Sequence, residues 1–154
     1  MLHKLLVFAT AVLLSLTAGR AFWVTLGESP LSVRGATYVE FFQQTDRRVA
    51  VPIAIAGVGG TVLAGVSAAM WRRRRRACWL LAGACALGAV GSLVTVLVNV
   101  PINLEIATWN PAALPQGYEA LLRRWWDWHQ VRMVAMVAAS WLVYAAMLGV
   151  TERG

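Results

Sequence analysis

The sequence predicts an all-α membrane protein, a polytopic four-helix bundle, on three observations. Hydrophobic residues make up 59% of the 154 residues and charged residues only 14%, whereas soluble domains are about 45–50% apolar and about 25% charged. Four apolar runs are each long enough to cross a hydrocarbon core, which takes about 20 helical residues. The arginine block Arg72–Arg76 separates the two middle runs. These runs occupy most of the chain, so residues 1–154 are predicted to form a single domain.

The predicted helices cover residues 5–26, 49–71, 77–102 and 131–150, with outer loops at 27–48 and 103–130. A cleaved signal peptide is the alternative for the first run, because His3 and Lys4 give it a basic start. The stretch Gly19-Arg20-Ala21 lacks the small-x-small pattern of a cleavage site, which favours a retained helix. The segment 35–48 contains no helix breaker after its glycine and is a candidate helical lead-in to the second span, which Pro52 is expected to bend.

The arginine block predicts the orientation of the bundle. A short basic loop between two spans is typical of the cytoplasmic side of a membrane, so both termini are predicted to be cytoplasmic. A block of this kind can also bind anionic lipid headgroups. The net charge of +7 is therefore attributed to the membrane surface, and no nucleic-acid partner is predicted.

Small residues at four-residue spacing predict close helix packing in the second and third spans. They include Gly57, Thr61, Gly65, Ala84, Gly88 and Ser92. The two cysteines, Cys78 and Cys85, have no metal-ligand or redox spacing and are interpreted as packing thiols. Four tryptophans near the span boundaries are interpreted as interface anchors: Trp23, Trp71, Trp79 and Trp109.

Asn99 and Asn103 are four residues apart and so lie on one helix face. Pro101 between them lacks a backbone donor and frees a carbonyl upstream, which predicts a kinked, polar end to the third helix. The two amides either satisfy the freed backbone groups and a neighbouring helix, or contact a ligand. An amide left without a partner in hydrocarbon costs several kcal/mol, so some partner is required.

The run Arg123–Arg132 contains the residues most suited to chemistry. On a helix, Trp125, His129 and Arg132 share one face with Trp128 beside them, while Trp126 and Asp127 point elsewhere. Histidine can act as base, acid or metal ligand, and arginine can hold an anionic oxygen. The alternative is an aromatic belt with a snorkelling arginine.

The first outer segment supplies Glu40, Gln43, Gln44 and Asp46. Either carboxylate is a candidate partner for His129, Arg132 or Arg20, and an exposed salt bridge is the alternative. A metal held by His129 with Glu40 or Asp46 is not favoured, because copper or zinc normally needs more imidazole or thiolate ligands. Nucleotide-binding and hydrolase motifs are missing from the sequence.

The pattern N-V-P-I-N…W-N-P…L-R-R-W-W-D-W-H-Q-V-R resembles the DUF1772 family of small, four-helix, anthrone-oxygenase-like membrane proteins. The residues that carry the resemblance are Asn99, Pro101, Asn103, Trp109, Trp125, His129 and Arg132, and the segment 40–46 is similar as well. Relatives in fungi oxidise an anthrone to an anthraquinone with molecular oxygen. The resemblance therefore implies a flat aromatic substrate and oxygen as co-substrate.

The leading hypothesis is a membrane oxidoreductase of the bacterial inner membrane, acting on a flat aromatic or quinone-like molecule. Its pocket is expected near the outer membrane face. The expected catalytic residues are His129, Arg132 and Glu40, and the expected substrate-binding residues are Asn99, Asn103, Trp109, Trp125 and Trp128. The rival hypotheses are a non-catalytic bundle that binds a lipid, a quinone or a partner protein, and a metalloprotein. Homo-oligomerisation is left open by the sequence.

Overall fold

The computed structural model describes residues 2–151, without the side chains of residues 46, 47, 150 and 151. Its helices are α1 (Leu2–Gly27), α2 (Gly35–Met70), α3 (Arg75–Val94), α4 (Val100–Ile106) and α5 (Tyr118–Thr151), and a π-helical turn at Thr95–Asn99 joins α3 to α4. The described residues form no β-strand, and the predicted all-α class is confirmed.

Four stretches are long and apolar enough to cross a membrane, namely Leu2–Gly27, Arg48–Met70, Arg75–Ile106 and Tyr118–Gly149. They fit a multi-pass membrane protein in contact with lipid. Their order is that of an antiparallel bundle in which α1 and α3 each pack against both α2 and α5. The arginine block and the start of α1 lie at the same end, where the ring of His3 meets Trp71 edge-on at 6.3 Å. We call this the arginine end and the opposite one the site end.

The helices extend beyond the predicted apolar spans at the site end. α2 begins at Gly35 and α5 at Tyr118, so most of residues 27–48 and about half of 103–130 are helical. The physical reason is that these extensions are amphipathic. Tyr38, Val39 and Phe42 of α2 pack with Leu122 and Trp125 of α5 in a second hydrophobic core, whereas apolar length alone marks only the part that crosses lipid.

The tryptophans predicted to be interface anchors differ in how deeply they are buried. Trp109 is only 9% exposed and contacts Tyr118 edge-on at 6.4 Å, so it belongs to the core and is not an interface anchor. Trp23 and Trp79, in contrast, are more than half exposed.

Pro52 does not interrupt α2. Cys78 and Cys85 are free thiols.

The close approach of α2 and α3 depends on glycine. A Cβ placed on Gly88 would lie 2.5 Å from Oγ1 and 3.3 Å from Cβ of Thr61. The Thr61 hydroxyl donates a hydrogen bond of 2.8 Å to the Gly57 carbonyl, which fixes the rotamer of that side chain. The contact therefore has little freedom to adjust.

We expect Gly88→Ala to destabilise the bundle, because overpacking of a tight contact costs about 1–3 kcal/mol. Gly19→Ala is the matched control, since nothing lies within 4 Å of a Cβ at that helical position. The control should raise stability by up to about 1 kcal/mol, as replacement of a helical glycine usually does. Thermal unfolding in detergent measures both changes. Equal midpoints for the two variants would contradict the proposed tight contact.

Candidate functional site

A cavity of about 150 Å³ lies between α1, α2, α3 and α5 in the half of the bundle toward the site end. Most of its wall is apolar, and its floor is formed near Thr17, Gly57 and Met136. Its charged and strongly polar lining residues are Arg20, Glu28, Asn103 and Arg132. Trp125 and Tyr38 contribute aromatic surface near the site end. The combination of an apolar slot with a few polar groups is typical of a small-molecule site.

His129 lies behind the cavity wall rather than in the cavity. Its side chain is fully buried, and it is not among the residues that line the space. Its Nε2 atom lies 3.1 Å from the carbonyl oxygen of Ala21 and 3.3 Å from the hydroxyl of Thr25. Its Nδ1 atom lies 2.6 Å from a terminal nitrogen of Arg132. Both ring nitrogens are therefore engaged by the protein.

These partners determine which nitrogen of His129 carries the proton. A guanidinium can only donate hydrogen bonds and a carbonyl can only accept them. Arg132 consequently donates to an unprotonated Nδ1, and Nε2–H donates to Ala21. The imidazole is thus neutral, and the lone pair on its Nδ1 already accepts a hydrogen bond from Arg132. A base acting on a substrate would need that electron pair to be accessible, so the predicted role of His129 as a base is not favoured by this geometry.

Two tryptophans hold the His129 ring. Trp125 stacks on it with centroids 5.0 Å apart and planes 5° from parallel. Trp126 also stacks on it, at 5.7 Å and 22°. The prediction placed Trp128 beside His129 and Trp126 elsewhere, but Trp128 is 41% exposed and does not line the cavity. Residues three and four positions before a histidine in a helix lie on the same helix face as that histidine. Trp126 and Trp125 hold these two positions, which explains why Trp126 rather than Trp128 contacts His129.

The two predicted amides converge on Trp125 and do not contact His129. The indole N–H of Trp125 donates to the side-chain oxygen of Asn103 at 2.7 Å. The side-chain nitrogen of Asn99 donates to the carbonyl of Trp125 at 3.2 Å. Only Asn103 lines the cavity. The polar groups therefore form a chain that runs from α4 through Trp125 and His129 to Arg132.

The predicted kink before Pro101 takes the form of a π-helical turn. Because Pro101 cannot donate a backbone hydrogen bond, the regular α-helical pattern is interrupted upstream of it. The wider turn at Thr95–Asn99 absorbs the change and places Asn99 in the interior, where it is 1% exposed. π-helical turns of this kind are frequent at functional sites. The side-chain oxygen of Asn99 is buried without a hydrogen-bond partner.

An ion pair in the cavity wall was missed by the sequence analysis. Arg20 and Glu28 approach to 2.8 Å, with side chains 26% and 15% exposed. The sequence indicates that Arg20 needs a carboxylate partner, but it suggests Glu40 or Asp46 for that partner. The available signal was spacing, because positions eight apart fall within one broad stripe of a helix and Glu28 directly follows the last residue of α1. Arg132 is the remaining charged residue among the described residues that line the cavity.

Two further predicted residues lie away from the cavity. Glu40 is exposed on α2 and borders a separate surface depression with Gln44 and Arg48. Trp109 borders another depression, near Pro115 and Tyr118. The side chain of Asp46 lies outside the described residues. The described part of the chain contains no group of three or more His, Cys, Asp or Glu side chains suited to a metal ion.

Gln43 holds α2 against the end of α4. Its side-chain nitrogen lies 3.2, 3.4 and 2.9 Å from the carbonyl oxygens of Ile106, Ala107 and Trp109. Carbonyls at the end of a helix lack regular intrahelical partners, and this amide supplies a donor to those at and just after the end of α4. The contact attaches α2 to the end of α4 in the half of the bundle toward the site end.

The sequence model of the anthrone oxygenase family matches residues 40–142 of this chain. The match covers most of α2, all of α3, the π turn and α4, and most of α5. It includes Trp125, His129 and Arg132. The chain therefore belongs to the anthrone oxygenase family, which is the DUF1772 family. No curated protein and no solved structure matched the chain.

The hydrogen-bond pattern predicts that His129 is the neutral tautomer with the proton on Nε2 at neutral pH. Nitrogen-15 NMR of histidine-labelled protein in detergent distinguishes a protonated ring nitrogen from an unprotonated one. His3→Gln removes the other histidine and leaves the resonance of His129. Arg132→Gln should shift the Nδ1 resonance most, because that atom loses its charged donor. A protonated Nδ1 would contradict the pattern.

Proposed function

We propose that the protein binds a flat apolar aromatic molecule that carries an acidic oxygen or ketone, and promotes its oxidation by molecular oxygen. Membership of the anthrone oxygenase family supports an oxygenase-like role in a membrane. The observation that carries the proposal is the guanidinium of Arg132, which is bonded to His129 and lines a mostly apolar cavity. Such a cavity favours a ligand that is apolar over most of its surface and anionic at one atom.

In this proposal Arg132 binds the oxygen on which negative charge develops. A positioned donor lowers the energy of an anionic intermediate most effectively where water is excluded. A guanidinium carries five N–H groups in a fixed fork, and the bond to His129 uses one of the terminal nitrogens. His129 is then a positioning residue. Its Nδ1 fixes one end of the fork, and its contacts with Ala21 and the two tryptophans fix the ring.

The reaction can be written with all atoms balanced for a substrate with an acidic CH₂ between aromatic rings, conjugated to a ketone. Loss of one proton gives a carbanion whose charge is delocalised onto the ketone oxygen, beside Arg132. The carbanion is oxidised by oxygen, which is reduced as a carbon–oxygen bond forms and gives a hydroperoxide after protonation. Loss of the second C–H proton with cleavage of the O–O bond releases water and leaves a new ketone. The overall change is CH₂ plus O₂ to C=O plus H₂O.

Glu28 is the group that we propose accepts the first proton. It is the sole carboxylate among the described residues that line the cavity. Arg20 holds it at 2.8 Å and so fixes its position in the wall. Glu40, the carboxylate predicted for the site, is exposed and does not line the cavity, so it is not included in this mechanism.

We expect Arg132→Gln to reduce oxidation of anthrone by the purified protein, measured as oxygen uptake and anthraquinone absorbance. Loss of one donor to a developing oxyanion typically lowers turnover by about 10²–10³-fold. Arg123→Gln is the control, since Arg123 is exposed and does not line the cavity. Turnover that is equal in both variants would exclude Arg132 from the chemistry. Anthrone binding without turnover in the unmodified protein would favour the non-catalytic binding hypothesis.

Glu28→Gln should lower the same activity while leaving ligand binding largely intact, because the amide keeps the shape of the side chain but cannot accept the proton. General-base removal typically costs about 10²–10⁴-fold in rate. Glu105→Gln, at an exposed position outside the cavity, is the matched control. A Glu28→Gln protein with full activity would assign proton removal to solvent or to the substrate itself.

A further inference from the structure

The cavity is bounded toward the arginine end by a tight crossing of α2 and α3. A Cβ on Gly88 would contact Thr61, and one on Gly65 would lie 3.2 Å from the sulfur of Cys85. Small residues therefore bring the two backbones together from Thr61 onwards. Met136 of α5 closes the floor above this crossing, since a Cβ on Gly91 would lie 2.7 Å from its methyl group.

Toward the site end, α2 is held in place by Gln43. The bonds from its amide to the carbonyls at the end of α4 tie α2 to the segment that follows the π turn. Gln43 and Thr61 are separated by 18 residues, which corresponds to about 27 Å of helix. The two attachments thus enclose a stretch of α2 comparable in length to the thickness of the hydrocarbon core.

Between these two attachments the cavity wall is open to the side. Residues that line the cavity from α2 are exposed at the same time, among them Ala54 and Val58. On the opposite edge, Val96 of the π turn and Val100 at the start of α4 are also both lining and exposed, at 58% and 39%. A residue that is both exposed and part of the wall marks an opening. We call this opening the window.

The window lies within the membrane-crossing part of the chain and is edged by apolar side chains. Ala54 and Val58 fall within the span Arg48–Met70, and Val96 and Val100 fall within Arg75–Ile106. No charged residue is among these four. An opening of this composition faces acyl chains more favourably than water, because its edges cost nothing to place in hydrocarbon.

The cavity is too small to hold a ligand of several fused rings without the space that the window adds. An apolar cavity of 150 Å³ is large enough to hold about one benzene ring, and the cavity here has about 150 Å³. A molecule of two or three fused rings therefore needs space beyond the enclosed volume. The window is the place where the wall already provides it, at the level of the bilayer interior.

We propose that the window between α2 and the π turn is the entrance through which a flat apolar aromatic ligand passes from the bilayer into the cavity. The inference rests on the proposed function in taking this cavity as the binding site. The ligand enters with its polar oxygen leading toward Arg132, and its remaining ring surface stays in the window against lipid. The route avoids water, in which such a ligand dissolves poorly.

Photolabelling tests the entrance without requiring turnover. The full-length protein is reconstituted into phosphatidylcholine–phosphatidylglycerol vesicles with an uncharged phenyl diazirine, a probe of one ring that dissolves in the bilayer. After illumination, mass spectrometry measures the label on Met136, which is 2% exposed, and on Trp141, which is 71% exposed on the same helix. The ratio of the two labels reports access to the cavity relative to the lipid surface.

The window variants are Val58→Trp and Val96→Trp, one on each edge. Their matched controls are Val62→Trp and Val90→Trp, at valines that are 57% and 44% exposed but do not line the cavity. Met136 should lose most of its label in both window variants and retain it in both controls, while label on Trp141 stays constant. Two variants on opposite edges keep the test decisive if one of them fails to fold.

Three results would contradict the proposal that the window is the entrance. They are an unlabelled Met136 in the unmodified protein, equal loss of label in window and control variants, and full label in both window variants. Labelling of Met136 by a membrane-impermeant diazirine as efficiently as by the apolar one would assign access to the aqueous face instead. Arg132→Gln should keep the label while losing turnover, so failure of the entrance and failure of the proposed chemistry give different results.

Discussion

The bond between Arg132 and His129 is the interaction on which the rest of the site depends. An arginine within a membrane-spanning helix needs partners, because its charge cannot be left in hydrocarbon. The imidazole provides one at 2.6 Å and is itself fixed by the carbonyl of Ala21 on α1. The neutral imidazole thus joins α1 to α5 and positions the permanent positive charge of Arg132 at the cavity wall. If the imidazole were free to rotate, the position of that charge would be undefined and the cavity would lose its distinguishing feature.

The same logic extends from His129 to the π turn. Trp125 stacks on the imidazole, donates its indole proton to Asn103 and accepts a bond at its carbonyl from Asn99. Groups that would each be costly alone in lipid satisfy one another in a chain, and such networks hold their members in one arrangement. The interruption that Pro101 makes in the helix is what turns both amides toward α5. The π turn therefore serves two purposes, since it also forms one edge of the window.

The sequence predicted the bundle well because the length of an apolar run directly measures what crosses a membrane. It predicted the site less completely, for reasons that individual residues make clear. Trp125 and Arg132 do lie along the cavity, because their spacing on one helix predicts a shared face. Asn103 lines the cavity from α4. Glu40 and Glu28 are both carboxylates near the site end, and only the packing of α1 against α2 decides which of them faces inward. Periodicity within one helix contains no information on that choice.

The placement of a guanidinium behind a lipid-facing window constrains which molecules the site can select. A permanently anionic molecule partitions poorly into the bilayer interior, because transfer of an ionised group to a low-dielectric medium costs many kcal/mol. A neutral hydrocarbon reaches the window but has nothing for Arg132 to bind. A neutral molecule with a weakly acidic proton meets both requirements, since it crosses the window uncharged and becomes anionic only beside the guanidinium. Hydrogen bonds to charged groups contribute about 1.5–3 kcal/mol, so the site favours the deprotonated form after arrival. Selection and activation of the ligand would then be the same step. The negative charge that the ligand gains on deprotonation both binds it to Arg132 and makes its carbon reactive toward oxygen.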